Sequence, residues 1–217
     1  MAGNLNNIIV YDLETGGFTP GVHGVCEVAM IAIDINTLEE IGRYEAIIQP
    51  YQRQDGTEMQ YEPGAFKVNG LSVKKIQNGK PGSVVVKEII AFAKAHKSKS
   101  KKPILSGHNI DKFDNPHLDD LFLCHKADVT KHFENDSIDT LKWARLKWID
   151  DPDMVKFNLG ACCKKLGIRL IDAHSAMPDT EANKKVLISF LKSLRGDGLS
   201  TEEDYEAPKK DRVEFKF

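Results

Sequence analysis

Long apolar runs are missing from this 217-residue sequence, and none approaches the ~20 residues that a membrane-spanning helix requires. The opening "MAGNLNN" has no basic region followed by an apolar stretch and cleavage site, so the expected location is cytoplasmic. Cysteine is scarce as well. Cys26, Cys124, Cys162 and Cys163 form no C-x-x-C pair, which excludes a disulfide framework and points to buried, reduced thiols. His108, His117, Cys124 and His125 match no structural zinc spacing. Charge of one sign is lacking too: a net charge of -2 argues neither for nor against nucleic acid, because acidic sites can meet phosphates through bound cations. No internal repeat occurs, and low complexity is confined to the short run "KSKSKK". With 41% hydrophobic and 29% charged residues, the chain reads as one globular domain over residues 1–195. The remaining 196–217 stretch has no sustained apolar period and reads as a charged tail.

What is present is an ordered change of pattern. A β-branched run over roughly residues 7–13 predicts a first strand, "VCEVAMIAIDI" a second and "GRYEAIIQP" a third. Their short connections predict antiparallel neighbours. A polar loop follows to Gly64, and the apolar spacing of "SVVVKEIIAFAKAHK" predicts a helix. "PILSGHN" reads as a short strand, and "FDNPHLDDLFLCHKA" as helical in its later part. "DSIDTLKWARLKW" combines a strand end at Ile138 with a helix, and helices are also expected in "FNLGACCKKLGI" and "DTEANKKVLISFLKSL". Antiparallel strands first and βα units afterwards predict an α/β fold, a mixed sheet with helices on both faces.

The first strand raises a chemical question, since it runs from Ile8, Ile9 and Val10 into two carboxylates, Asp12 and Glu14, before Gly16 and Gly17. Side chains alternate along a strand, so both acids point to one face. Two carboxylates about 4 Å apart repel by about 1 kcal/mol in water and about 4 kcal/mol at an effective dielectric of 20. A divalent cation removes that penalty, whereas exposure at a strand end makes it small, and D-x-E alone fits either arrangement.

Two later stretches bear on the choice. "SGHNIDKFDNPHL" places Phe113 and Asp114 after a strand, and "DAHSAMPDTEA" places His174 five residues before Asp179. Taken in order, "YDLETGG", "GHN-x-x-x-FD" and "H-x-x-x-x-D" resemble the three motifs of the DEDDh, or DnaQ-like, 3′–5′ exonucleases, the family of the bacterial replicative proofreading subunit. The resemblance extends through "CEVAMIAID", "FKVNGLSVKKI", "IDTL" and "FNLGACCKKLGI", over roughly residues 8–194. It departs from the family in having three residues, Ile110, Asp111 and Lys112, between Asn109 and Phe113, where two are common. Asp114 is still the better match than Asp111, because Phe113 precedes it. Thr15-Gly16-Gly17 also stands where Thr-Thr-Gly is usual.

The resemblance implies a ribonuclease H-like sheet of three antiparallel and two parallel strands. It implies hydrolysis assisted by two divalent cations, Mg²⁺ or Mn²⁺, held by Asp12, Glu14, Asp114 and Asp179, with His174 as general base. Leu13, Thr15, Gly16, Gly17, Phe18 and Asn109 are the implied substrate contacts. Phe18 could equally cap the core, Asn109 could orient a loop, and His174 could be a surface residue at a helix start. The expected substrate is the 3′ end of single-stranded DNA, with a DNA polymerase or other replication protein as a further partner. The alternatives are a 3′–5′ exoribonuclease and a catalytically idle nucleic-acid-binding module. "KSKSKK" precedes the strand that His108 to Asp114 follow, which puts its lysines at the far end of the sheet, as a solvated loop.

Overall fold

The β-branched run near the start of the chain forms the central strand. The computed structural model describes residues 6–170 and 175–196. β1 (Ile8–Thr15) pairs antiparallel with β2 (Val25–Ile33), which pairs antiparallel with β3 (Glu40–Ile47). On its other edge β1 takes β4 (Ile104–Gly107) in parallel, and β5 (Ile138–Asp139) lies parallel beyond it. The order β3-β2-β1-β4-β5 is the expected three antiparallel strands followed by two parallel ones.

Alternation along β1 sorts its side chains between two helical layers. Ile9, Tyr11 and Leu13 join the buried cluster built with α3 (Gly82–Ala95) and α4 (Asp114–Cys124), through Val85, Ile89, Leu118 and Phe122. Ile8 and Val10 face the opposite side and pack with Leu187 and Leu191 of α7 (Ala176–Arg195). The other flank of α7 holds Val186 and Phe190 against α5 (Thr140–Lys147) and α6 (Leu159–Lys165), with Trp148 edge-on to Phe190 at 5.4 Å. Each fully buried aliphatic side chain contributes about 1.5–3 kcal/mol. Several of them along α7 therefore outweigh the ~4 kcal/mol of repulsion that bringing one carboxylate to another can cost.

Four boundaries depart from the sequence expectation, each for a tertiary reason. β1 continues past residue 13 to Thr15, because β2 pairs with it as far as Val25 and holds the carboxylate segment extended. The segment before α3 contains two short helices that the sequence pattern did not mark, α1 (Pro63–Asn69) and α2 (Val73–Gln77). They are too short to show a period and exist because Phe66 of α1 and Ile76 of α2 pack with Leu71, between them, against Cys26 of β2. α4 begins at Asp114 itself, after a turn in which Asn109 adopts a left-handed φ of 68°. α7 begins at Ala176 rather than Asp179, and tolerates Pro178 because a first-turn residue needs no intrahelical N–H bond. Gly196, at φ 80°, ends α7 with its N–H on the Lys192 and Ser193 carbonyls. Beyond it, residues 197–217 of the expected tail lie outside the described residues.

All four cysteines are free, three of them buried and Cys124 half-buried, in agreement with the sequence reading. Among the described residues no helix is long and apolar enough to cross a membrane. The lysine run also falls where expected: the Lys102 carbonyl accepts the Asn6 side-chain amide at 2.8 Å, beside the start of β1 rather than its carboxylate end.

Candidate active site

Asp12 and Glu14 continue the β1 face that Ile8 and Val10 begin, and so they meet α7 where the apolar contact stops. α7 supplies Asp179 from its first turns, where the positive end of the helix dipole favours a carboxylate. Carboxylate oxygens of Asp12, Glu14 and Asp179 all lie within 4.8 Å of one another. Among the described residues this is the group of three or more metal-capable side chains that converges. The histidines and cysteine considered for zinc do not converge; His108 instead contacts the Thr140 hydroxyl and the Phe157 carbonyl at 3.0 and 2.8 Å.

Asp114 arrives from the other side. β4 pairs with β1 only as far as Val10, so the next stretch of that β1 edge is free, and the Leu13 N–H donates to the Asp114 carboxylate at 3.1 Å. Asp114 is 3% exposed and interacts electrostatically with Asp12. Asp111 points elsewhere, paired with Lys142 and hydrogen-bonded by Ser137 and Asn115. The structure thus turns Asp114 toward β1 and Asp111 away from it, in line with the preference for Asp114 that Phe113 gives. His174 lies outside the described residues.

Crowding four acids has a clear electrostatic signature. Burial first, then Asp114, Glu14 and Asp179, drives the Asp12 carboxyl well above the ordinary carboxylate range. Burial, Asp179 and Glu27 push Glu14 up to about 8, and burial pushes Asp114 up to about 7. Among the described residues Asp12, Glu14 and Asp114 form no ion pair with a lysine or arginine, and packing of β1 against α4 and α7 holds them close against their repulsion. An all-oxygen donor set in this state suits a hard divalent cation.

The turn after Glu14 is built around His23. The His23 ring accepts the Thr19 N–H at 3.0 Å through Nδ1 and contacts Glu62 at 3.0 Å through Nε2. A Cβ on Gly17 would press into that imidazole, and one on Gly16 would sit 2.6 Å from the Gln60 carbonyl. The glycines are thus demanded by the loop's own packing, whatever else approaches them. Gly17→Ala should cost about 1–3 kcal/mol in chemical denaturation; an unchanged midpoint would show that the loop can shift freely. Leu13 and Thr15 are buried, and the Thr15 hydroxyl donates to the Gly17 carbonyl at 2.7 Å, so both offer a ligand mainly backbone. Phe18 is not a core cap: it is 84% exposed and stands edge-on to Phe113 at 6.3 Å. Behind it His117 packs on Phe113 at 5.0 Å, and burial lowers its pKa to about 4, keeping the ring neutral. The Asn109 N–H donates to Asp139 at 2.9 Å, which anchors the turn into α4.

One acid in this site was not singled out from the sequence. Glu27 of β2 is paired with Glu14 across the strands and is buried. Its signal was present: a lone carboxylate inside a nine-residue strand of otherwise apolar residues.

With this geometry in place, comparison with known proteins decides the family. The RNase_T family model, described as "Exonuclease", matches residues 9–187. The chain belongs to this exonuclease family. The resemblance to DnaQ-like 3′–5′ exonucleases carried by the three motifs therefore holds. Among the exonuclease's relatives, the PolC-type DNA polymerase III of Bacillus cereus is 29% identical over 186 residues, covering 86% of this chain and 11% of that protein. The Bacillus subtilis protein of the same description is 25% identical over 191 residues, covering 88% and 12%. The chain thus spans about a ninth of the length of these relatives. E. coli Exonuclease I in complex with a dT13 oligonucleotide superposes with a TM-score of 0.71 at 20% identity, over 89% of this chain and 43% of that one. A zinc-bound form of an E. coli Exonuclease I complex with single-stranded DNA gives 0.72 at 20% identity, over 88% and 41%. These structural likenesses establish that the exonuclease has the ribonuclease H-like fold expected of it.

Proposed function

We propose that this exonuclease removes nucleotides from the 3′ end of single-stranded DNA by divalent-cation-dependent hydrolysis. The observation that carries the proposal is the convergence of Asp12, Glu14 and Asp179 within 4.8 Å, with Asp114 bonded to the same strand. Asp12, Glu14 and Asp179 would hold one Mg²⁺ or Mn²⁺, and Asp12 with Asp114 a second. Cations held there would offset the cluster's charge and would supply Lewis-acid activation of the attacking water and charge stabilisation at the leaving oxygen. His174 would accept the proton of that water, a task suited to a neutral imidazole. The water oxygen bonds to phosphorus as the bond to the 3′ oxygen breaks, and a nucleoside 5′-monophosphate leaves.

Residues beside the acids support a resting place for the terminal nucleotide. Phe18, exposed and braced by Phe113, offers a face on which any base can stack. Backbone of Leu13, Thr15, Gly16 and Gly17 lines the turn beside the acids, and Asn109 holds the opposite turn. DNA is favoured over RNA because the PolC-type relatives are DNA polymerases and Exonuclease I was captured on DNA. The same relatives support association with a DNA polymerase, and the four free thiols suit the cytoplasm.

The decisive experiment offers the purified chain 3′-labelled and 5′-labelled single-stranded DNA, RNA and duplexes with Mg²⁺ or Mn²⁺. Stepwise loss of nucleotides from the 3′ end of single-stranded DNA is expected. Preference for RNA would move the chain to exoribonucleases, internal cleavage would make it an endonuclease, and no cleavage would make it a binding module. Neutralising Lys97, Lys99, Lys101 and Lys102 together should leave the rate within about threefold at physiological salt. They lie roughly 20 Å from the acids by strand length, beyond the ~8 Å screening distance. A tenfold loss would place them on the substrate path.

A further inference from the structure

β2 carries one carboxylate, Glu27, in a strand whose nine residues are all buried. At 3% exposure a carboxylate costs several kcal/mol unless its position is put to use or compensated. Its compensation is specific: the Glu27 carboxylate accepts the backbone N–H of Ala176, the first residue of α7, at 3.4 Å. α7 has no side-chain cap of its own, since Ser175 at the N-cap position makes none. A carboxylate from a neighbouring strand therefore takes over one of the helix's unsatisfied donors and meets the positive end of its dipole. Lys75 of α2 and Glu45 of β3 are the other charged groups acting on Glu27, and Glu14 lies opposite it in the pairing of β1 with β2.

A second bond ties the same turn to the same strand. The buried Thr180 hydroxyl lies 3.4 Å from the Ala29 carbonyl and 2.7 Å from that of Ala176. Asp179 falls between these two attachment points, only about 4.5 Å along the helix axis from Ala176 at 1.5 Å per residue. Glu27 itself is not among the side chains whose oxygens converge within 4.8 Å.

We propose that Glu27 is a positioning residue: by holding the Ala176 N–H it sets the first turn of α7, and with it the place of Asp179 relative to Asp12 and Glu14. The proposal rests on the reading of those three carboxylates as a cation site. Packing through Leu187 and Leu191 seats the far end of α7 and Ala182 packs one turn beyond Asp179, while the first turn is tied to β2 by these polar contacts. A displacement of about 1 Å at such a site is enough to cost ~100-fold in function.

The test uses the full chain without nucleic acid and reads free Mn²⁺ by electron paramagnetic resonance during a titration. Glu27→Ala should raise the half-saturating Mn²⁺ concentration by about 10- to 100-fold, as removal of a group orienting a ligand does. Glu27→Gln, which keeps an acceptor oxygen at the same reach, should restore it to within about threefold of the parent. Hydrogen exchange in the first turn of α7 should quicken at least tenfold in Glu27→Ala, with the β1 amides unchanged. Parental Mn²⁺ binding in Glu27→Ala would overturn the proposal. So would a loss in Glu27→Gln as large as in Glu27→Ala, because charge rather than placement would then be at work. If Glu27→Ala fails to fold, the Gln variant still decides between these. A parent chain that binds no Mn²⁺ would remove the cation site itself, and unchanged exchange in α7 would separately remove the role of Glu27.

Discussion

Asp12→Asn should lower the exonuclease rate by on the order of 1,000-fold and at the same time stabilise the metal-free protein. The loss follows from removing a ligand that would serve both cations, where several kcal/mol of transition-state stabilisation are at stake. The gain follows from relieving a buried charge and the repulsion around it, since burial first and then Asp114, Glu14 and Asp179 raise the Asp12 pKa well above the usual range. The sign can be worked out from linkage. A carboxyl with a raised pKa binds more protons folded than unfolded, so folding stability is highest below the unfolded pKa and falls as pH rises through the folded one. With Glu14 raised from 4.5 to about 8 and Asp114 from 3.8 to about 7, the fall should occupy the interval between about pH 4 and pH 8. Urea unfolding in a chelator should therefore show a parent less stable at pH 8 than at pH 5. The Asn variant should be about 1–4 kcal/mol more stable than the parent at pH 8, the scale of one close like-charge contact. Added Mn²⁺ should reverse the ranking. A variant less stable than the parent at pH 8 without metal would contradict the repulsive cluster.

Loss of the proposed base has a different signature. His174→Ala should reduce the rate by about 100- to 10,000-fold while leaving Mn²⁺ binding and thermal stability close to those of the parent. At saturating Mn²⁺, which keeps the carboxylates deprotonated, kcat of the parent should fall on the acid side as the base takes up a proton. In the variant that acid limb should disappear, and added imidazole should restore part of the rate. Retention of more than a tenth of the activity, or an acid limb that survives the substitution, would assign proton removal to another group. Asp12→Asn and His174→Ala together thus separate cation binding from proton transfer, because only the first should change metal affinity.

Much of the fold was legible because its strands and longer helices carry their own periods. β1 and β2 are β-branched runs, and α3 and α7 carry apolar stripes that pack as the spacing requires. Alternation alone placed Asp12 and Glu14 on one face, and the motif order linked them to Asp114 and Asp179. α1 and α2 were not legible, since helices of seven and five residues have too few turns to reveal a period. The reason for Gly16 and Gly17 was only half visible: the turn could be read, but His23 and the Gln60 carbonyl, which crowd it, come from elsewhere in the chain.

By itself the sequence determined the mixed sheet, the family resemblance and the shared face of Asp12 and Glu14, because periodicity and motif order are local properties of a chain. The sequence already favoured Asp114 over Asp111, and the tertiary structure supplies the physical reason: Lys142 captures Asp111, while the free edge of β1 captures Asp114. Tertiary structure also turned Phe18 outward and brought the buried Glu27 to the start of α7. These outcomes rest on contacts between segments far apart in the chain, and the energy of such a contact is not written in either segment alone.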